Sequence, residues 1–236
     1  KDQMVQLGVN HSTEMTALQE NYTAAITELE EENNNLISDI ANLTEENEKL
    51  KTPSYQPRFS NHLKASLENW IEDSDSVNST YGDINTWDTS LITNMSELFY
   101  NEGTFNGNIS DWDVSSVTNM SGMFYYADSF NRNISYWNVS SVTDMGGMFA
   151  SADSFNQDIS DWNVSSVTDM SRMFNGAESF NGDISGWDVS SVTDMSSMFN
   201  GAESFNGNIS DWDVSSVTNM KSMFYYTESF NQDISG

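Results

Sequence analysis

Two hydrophobic rhythms divide the chain. Between Met15 and Leu50 apolar side chains return every seventh residue, at Met15, Tyr22, Leu29, Leu36, Leu43 and Leu50, with a gap-filling second position at Gln19, Ile26, Asn33, Ile40 and Asn47. A heptad with two such seams belongs to helices that bury a stripe against one another, so residues 1–51 are expected to form a parallel α-helical coiled-coil stalk. Asparagine in the second seam lowers stability while fixing register, and it favours a dimer; Ile37 beside the seam widens the stripe and leaves a trimer open. The expected oligomerisation residues are Ile26, Leu29, Asn33, Leu36, Ile40, Leu43, Asn47 and Leu50.

Pro53 and Pro57 cannot continue a helix through their own positions, so residues 52–58 are expected to be a linker. Over residues 59–79 the spacing of Leu63, Leu67, Trp70 and Ile71 predicts one amphipathic capping helix, with Ser60 or Asn61 as its N-cap.

From residue 80 the rhythm changes to a 25-residue repeat. Residues 105–129 read FNGNISDWDVSSVTNMSGMFYYADS, and the pattern returns from 130, 155, 180 and 205, after a divergent copy at 80–104 and before a fragment from 230. Repetition at this length marks a solenoid, in which each unit buries its apolar side only against its neighbours. The constant positions Phe105, Ile109, Trp112, Val114, Val117, Met120, Met123, Phe124 and Ala127 should point inward. Alternation around 109–114 and 117–120 predicts short strands. The spacing of Met123, Phe124 and Ala127 predicts a helical turn capped by Ser121, and Asn106–Gly107 predicts a corner at positive φ. Six coils at roughly 4.7–4.9 Å each would rise roughly 30 Å.

The run D-W-D-V-S-S-V-T-N-M-S-G-M-F at 111–124, followed by S-F-N, resembles the BspA-like leucine-rich repeat of bacterial surface proteins over residues 80–236; L-E-N-W-I in the preceding segment resembles the lead into such arrays. The resemblance implies a leucine-rich-repeat-like right-handed solenoid with a cell-surface, adhesive role and no catalytic residues. It does not extend to the heptad region.

Charge narrows the partners. A formal net charge of −28, from 36 acidic and 8 basic residues, repels a phosphate backbone, so nucleic acid is not expected. No stretch of eighteen apolar residues is present, so no direct membrane insertion is expected either. With no cysteine, thiol chemistry is absent and the redox compartment is not readable. The start at Lys1 and the stop at Gly236, partway through a repeat, read as a processed or truncated piece.

Candidate chemistry is sparse. His11 and His62 neighbour no nucleophile motif, and repeated carboxylates do not provide the two contrasting environments of an acid–base pair, so no enzyme and no cofactor are expected. One acidic column, Asp128, Asp153, Glu178, Glu203 and Glu228, would crowd like charges unless a cation intervened, which makes weak Ca²⁺ binding a candidate role. The N-x-S triplets at Asn108, Asn133, Asn138, Asn163 and Asn208 are glycan acceptors if the chain is secreted by a eukaryote. Copies differ at Tyr125, Tyr126, Tyr136, Tyr225 and Tyr226, aromatics suited to a carbohydrate or protein surface. The expectation is a non-enzymatic extracellular recognition or adhesion protein on a cell surface, multimerised by its stalk. The alternative is a structural subunit of a viral or phage fibre or an extracellular filament, at a virion or appendage surface.

Overall fold

The computed structural model describes residues 2–50 and 55–234. It divides into two compact units, Lys1–Pro53 and Ser54–Gly236. In the first, α1 (Asp2–Leu50) is one uninterrupted helix of 49 residues. Its described heptad side chains, from Met15 to Leu43, are open to water within the single chain, with Ile26 43 % and Leu43 64 % exposed.

The second unit begins with two helices where the spacing predicted one: α2 (Ser60–Glu72) and α3 (Ser74–Tyr81). The chain breaks at Asp73, whose carboxylate accepts the Ser76 N–H and so starts α3. Neither Ser60 nor Asn61 caps α2. Phe59 occupies that position without a side-chain bond, and its carbonyl accepts from His62 and Leu63 at 3.0 Å. Leu63 and Leu67 are buried, Trp70 donates from Nε1 to the Asn78 side chain at 2.9 Å, and its ring meets Phe105 edge-on at 6.0 Å. These contacts put the helices over the apolar end of the repeats, which would otherwise be wet.

Beyond α3 the 25-residue copies lie in parallel register, one directly against the next, joined by bridges from Asn94 to Asn119, then to Asp144, Asp169, Asp194 and Asn219. All nine constant apolar positions of the copy at 105–129 are buried. Phenylalanines form two columns: Phe99, Phe124, Phe149, Phe174, Phe199 and Phe224 stack nearly parallel at 5.2–5.8 Å, and Phe105 to Phe230 at 5.9–6.1 Å. Fully burying one such side chain contributes about 1.5–3 kcal/mol. In the last copy the same positions open outward: Val214 and Met220 are 39 % and 41 % exposed, against 1 % and 0 % for Val189 and Met195.

The polar backbone inside this stack is satisfied by ladders. Trp137 Nε1 donates to the Ile109 carbonyl at 3.2 Å, and Trp112, Trp162, Trp187 and Trp212 make the same bond to the copy before. Thr118, Thr143, Thr168, Thr193 and Thr218 each donate both N–H and hydroxyl to the preceding threonine's carbonyl. No buried side-chain nitrogen or oxygen lacks a partner among the described residues.

Local conformation departs from the predicted strands and helical turn. From 120 to 127 alternate amides serve different copies. Met120, Gly122, Phe124 and Tyr126 donate to Asp144, Gly146, Met148 and Ala150 in the next copy, while Met123, Tyr125 and Ala127 turn back to Met120, Gly122 and Phe124. Positive φ at Gly122 (61°) and Tyr126 (58°) breaks any helix there. The result is a ribbon of tight turns that pairs sideways like a strand. Ile109–Val114 likewise folds into turns, with Trp112 N–H reaching back to Ile109 at 3.2 Å.

Small polar residues drive these turns. Ser121 is not the cap: Asn119 Oδ1 accepts both the Ser121 N–H and its hydroxyl at 2.8 Å. Asn and Asp are interchangeable in this role because each presents the same acceptor two residues before a serine. Asn138, Asn163, Asp188 and Asp213 share one column and accept from Ser140, Ser165, Ser190 and Ser215. Asn106–Gly107 is not a positive-φ corner either. Gly107, Gly182 and Gly207 keep ordinary φ, and a Cβ at Gly107 would sit 2.9 Å from the Phe105 ring.

Candidate functional site

The turn ribbon is one place where the copies differ, and there the sequence places side chains that the core does not use. Its outer edge carries Tyr100, Tyr125 and Tyr126. Tyr125 meets Tyr126 edge-on at 4.5 Å and Tyr100 at 5.5 Å, and Tyr100 meets Tyr126 at 6.3 Å. Tyr126 is held outward by its positive φ and is 43 % exposed; Tyr100 is 46 % exposed. Burial pushes the Tyr125 hydroxyl above the ordinary tyrosine range, with help from its hydrogen bond to Tyr126 and from Tyr100, against a smaller opposing pull from Arg172.

The five tyrosines singled out in the sequence are thus not one site. Tyr225 and Tyr226 form a separate exposed pair at 4.2 Å, four copies from Tyr125 and Tyr126, and Tyr136 stands on another column, 87 % exposed. Tyr100 belongs to the cluster but lies in the divergent first copy, where the repeat frame hides it; counting back 25 residues from Tyr125 finds it.

Beside the cluster the ribbon is notched. Gly146 and Gly147 stand where other copies carry Ser121–Gly122, Ser171–Arg172, Ser196–Ser197 and Lys221–Ser222. At Gly146, where every other copy has a side chain, lies a cleft of about 260 Å³ walled by Tyr125, Asp144, Asp169 and Arg172.

The acidic column lies on a different edge. Asp153 is half-buried, while Asp128, Glu178, Glu203 and Glu228 are exposed. Burial raises the Asp153 carboxyl above the usual carboxylate range, and Glu178 and Asp128 raise it further. The column's backbone is structural, since the carbonyls of Asp128, Asp153, Glu178 and Glu203 accept from Ser154, Ser179, Ser204 and Ser229 at 3.0–3.1 Å. Among the described residues no group of three His, Cys, Asp or Glu is placed to hold a metal ion.

The glycan triplets also have an internal use. Asn108, Asn133, Asn138, Asn163 and Asn208 each accept from the serine two residues on. Of the histidines, His62 lies edge-on to Tyr55 at 5.6 Å, and the His11 side chain falls outside the described residues. On α1, Ile26, Leu29, Asn33, Leu36, Ile40 and Leu43 are exposed; the side chains of Asn47 and Leu50 fall outside the described residues. No helix among the described residues is long and apolar enough to cross a membrane.

A family model described as "Mycoplasma protein of unknown function, DUF285" matches residues 65–177 and 157–236, which together span most of α2, all of α3 and every copy. The chain belongs to the DUF285 family. The DUF285 match agrees with the BspA-like repeat resemblance over the repeats, and α1 lies outside it. Neither a curated protein nor a solved structure matches this DUF285 chain.

Proposed function

We propose that this DUF285 chain is a non-enzymatic recognition protein of an extracellular surface: a leucine-rich-repeat-like solenoid that presents an aromatic edge, multiplied by self-association of α1. One observation carries the reading. The copies hold their core and ladder positions constant and vary on the ribbon edge, where Tyr100, Tyr125 and Tyr126 gather into an exposed cluster. Aromatic side chains offer large contact area with little conformational entropy to lose, and a stack stiffened by Trp and Thr ladders holds them in place before any ligand arrives.

The heptad on α1 supports the second half. A helix of this polarity is marginal alone in water, and its leucine row, with Leu29 63 % and Leu36 53 % exposed, matches what a second copy would cover. Asn33 in the seam favours a parallel dimer. Two linked sites convert weak single contacts into avid binding.

The test uses the full chain on fluorescent beads applied to cultured epithelial cells and to extracellular-matrix films. Wild-type beads should adhere, and beads carrying the Tyr100→Ala, Tyr126→Ala double variant should not. Sedimentation equilibrium should give a dimer that Leu29→Lys, Leu36→Lys reduces to monomer. Filaments in negative-stain images, with no adhesion to any surface, would displace this reading in favour of a structural fibre subunit.

A further inference from the structure

We infer that the notch at Gly146 and Gly147 is a binding site for a neutral pyranose ring. The inference deepens the recognition reading and rests on it. In every other copy a side chain occupies the place of Gly146, whereas the place of Gly147 is also glycine at Gly122. A Cβ on Gly146 would lie 3.3 Å from Asp144 Oδ1, 3.4 Å from Asp169 Oδ1 and 3.4 Å from Ser171 Oγ, so the serine found in neighbouring copies would fill the floor of the cleft. A Cβ on Gly147 would lie 3.3 Å from the Tyr125 ring, which makes that ring the side wall.

The missing serine also changes the chemistry of the floor. In two other copies the serine hydroxyl donates to the acceptor two residues before it, Ser121 to Asn119 at 2.8 Å and Ser196 to Asp194. At Asp144 the residue two further on offers only its N–H, which reaches Oδ1 at 2.9 Å, while Asn119 Nδ2 approaches Oδ2 at a long 3.4 Å. Asp144 and Asp169 are adjacent across the parallel bridge and half-buried, and both face the cleft with acceptor capacity to spare. Arg172 supplies the opposite character, five N–H donors and no acceptor, from the next copy's place in the column of Gly147.

This combination selects against charged ligands. A cation that suits Asp144 and Asp169 meets Arg172, and an anion that suits Arg172 meets the two carboxylates and Glu97, which also lines the cleft. A neutral ring of hydroxyls uses both, because every hydroxyl donates and accepts, and its C–H face packs on the aromatic wall of Tyr125. The volume of about 260 Å³ lies just below the roughly 300 Å³ where pockets for larger small molecules begin, a size for one ring rather than a chain.

Saturation-transfer NMR on the full chain tests this with four probes: the methyl glycosides of glucose, galactose, mannose and N-acetylglucosamine. At least one should give transfer to its ring protons. That signal should vanish in Gly146→Ser, which restores the serine of the other copies, and in Arg172→Ser, which matches Ser197 in the same positive-φ column. It should persist in Gly186→Ser, a glycine with open space around it. Thermal melts check that all three variants fold. Transfer that is equal in wild type and Gly146→Ser overturns the site, as does silence from all four probes. Transfer instead to Nα-acetyl-lysine methylamide, abolished by salt, would overturn it in favour of a basic peptide. If beads adhere to cells while every glycoside is silent, the notch proposal falls and the recognition reading stands; if beads also fail to adhere, both fall.

Discussion

The side-chain oxygen of Asn106 accepts the backbone N–H of Asn131, one copy further on, at 3.1 Å. The bond repeats from Asn131 to Asn156, Asn156 to Asn181, Asn181 to Asn206 and Asn206 to Asn231, at 2.8–3.1 Å, so that asparagine column is a seam that ties each copy to the next. Asn156→Ala removes the acceptor for Asn181 while leaving the core intact. The expected cost is about 0.5–1.5 kcal/mol, the net value of one hydrogen bond, read from urea denaturation, with faster exchange of the Asn181 amide. Unchanged exchange at Asn181 would show that the seam carries no stability.

The tryptophan ladder is buried, so its polar atom is costlier to lose. Trp162→Phe keeps an aromatic ring but leaves the Ile134 carbonyl without the indole N–H that now reaches it at 3.2 Å. An unsatisfied buried group costs about 1–3 kcal/mol, and the smaller ring adds a cavity, so the melting temperature should fall by several degrees. The same change at Trp212, which lies in the more open last copy, should cost less.

Acid should loosen the turns. Hydrogen bonds from Ser160, Ser185, Ser190 and Ser215 hold the carboxyls of Asp158, Asp183, Asp188 and Asp213 below the ordinary aspartate range. At Asp194 burial pushes upward, but bonds from Ser196 and Asn219 outweigh it and the net shift is downward. A depressed folded value means stability that is present above about pH 4, the unfolded aspartate value, and is lost as pH falls through the folded value. The melting temperature should therefore drop on acidification below about pH 4. Asp188→Asn should flatten that drop, because asparagine keeps the Oδ1 acceptor, as Asn163 does in the same column. Asp153 works in the opposite sense: its raised value favours the folded state at low pH, a contribution lost as pH rises, so Asp153→Asn should raise the melting temperature at neutral pH.

The open last copy gives a further expectation. Extending the chain past Gly236 with the sequence of residues 187–204 would lay a new copy over Val214 and Met220. Each side chain so covered adds up to about 1.5–3 kcal/mol, so the extended chain should melt higher. No increase would mean that neighbouring copies do not stabilise one another.

The repeat period and the nine core positions were legible because every copy repeats them and burial has no other way to be satisfied. The turn ribbon was not. Its positive-φ column runs Glu97, Gly122, Gly147, Arg172, Ser197 and Ser222, so only two glycines mark a conformation shared by six residues, and Met123, Phe124 and Ala127 happen to fall at helical spacing. Asn106–Gly107 has the look of a turn signal, yet its ladder bond joins residues 25 apart, which no local rule anticipates. The split at Asp73 has a sequence mark in the Asp-x-x-Ser that starts α3. For the site, Tyr125 and Tyr126 stand out by varying between copies, whereas the notch is hidden: Gly146 and Gly147 look like ordinary drift until the stack brings Asp144, Asp169 and Arg172 around them.

Equivalent residues of successive copies sit one strand spacing apart, paired through the parallel bridges that run from Asn94 to Asn219. The chain has no native cysteine, so Asp128→Cys and Glu228→Cys, both at exposed positions, take spin labels without competition. Four steps of parallel pairing separate them, and pulsed electron–electron resonance should give one narrow distance near roughly 20 Å. A broad distribution, or a distance of several tens of ångströms, would mean that the copies fold apart and would contradict the account.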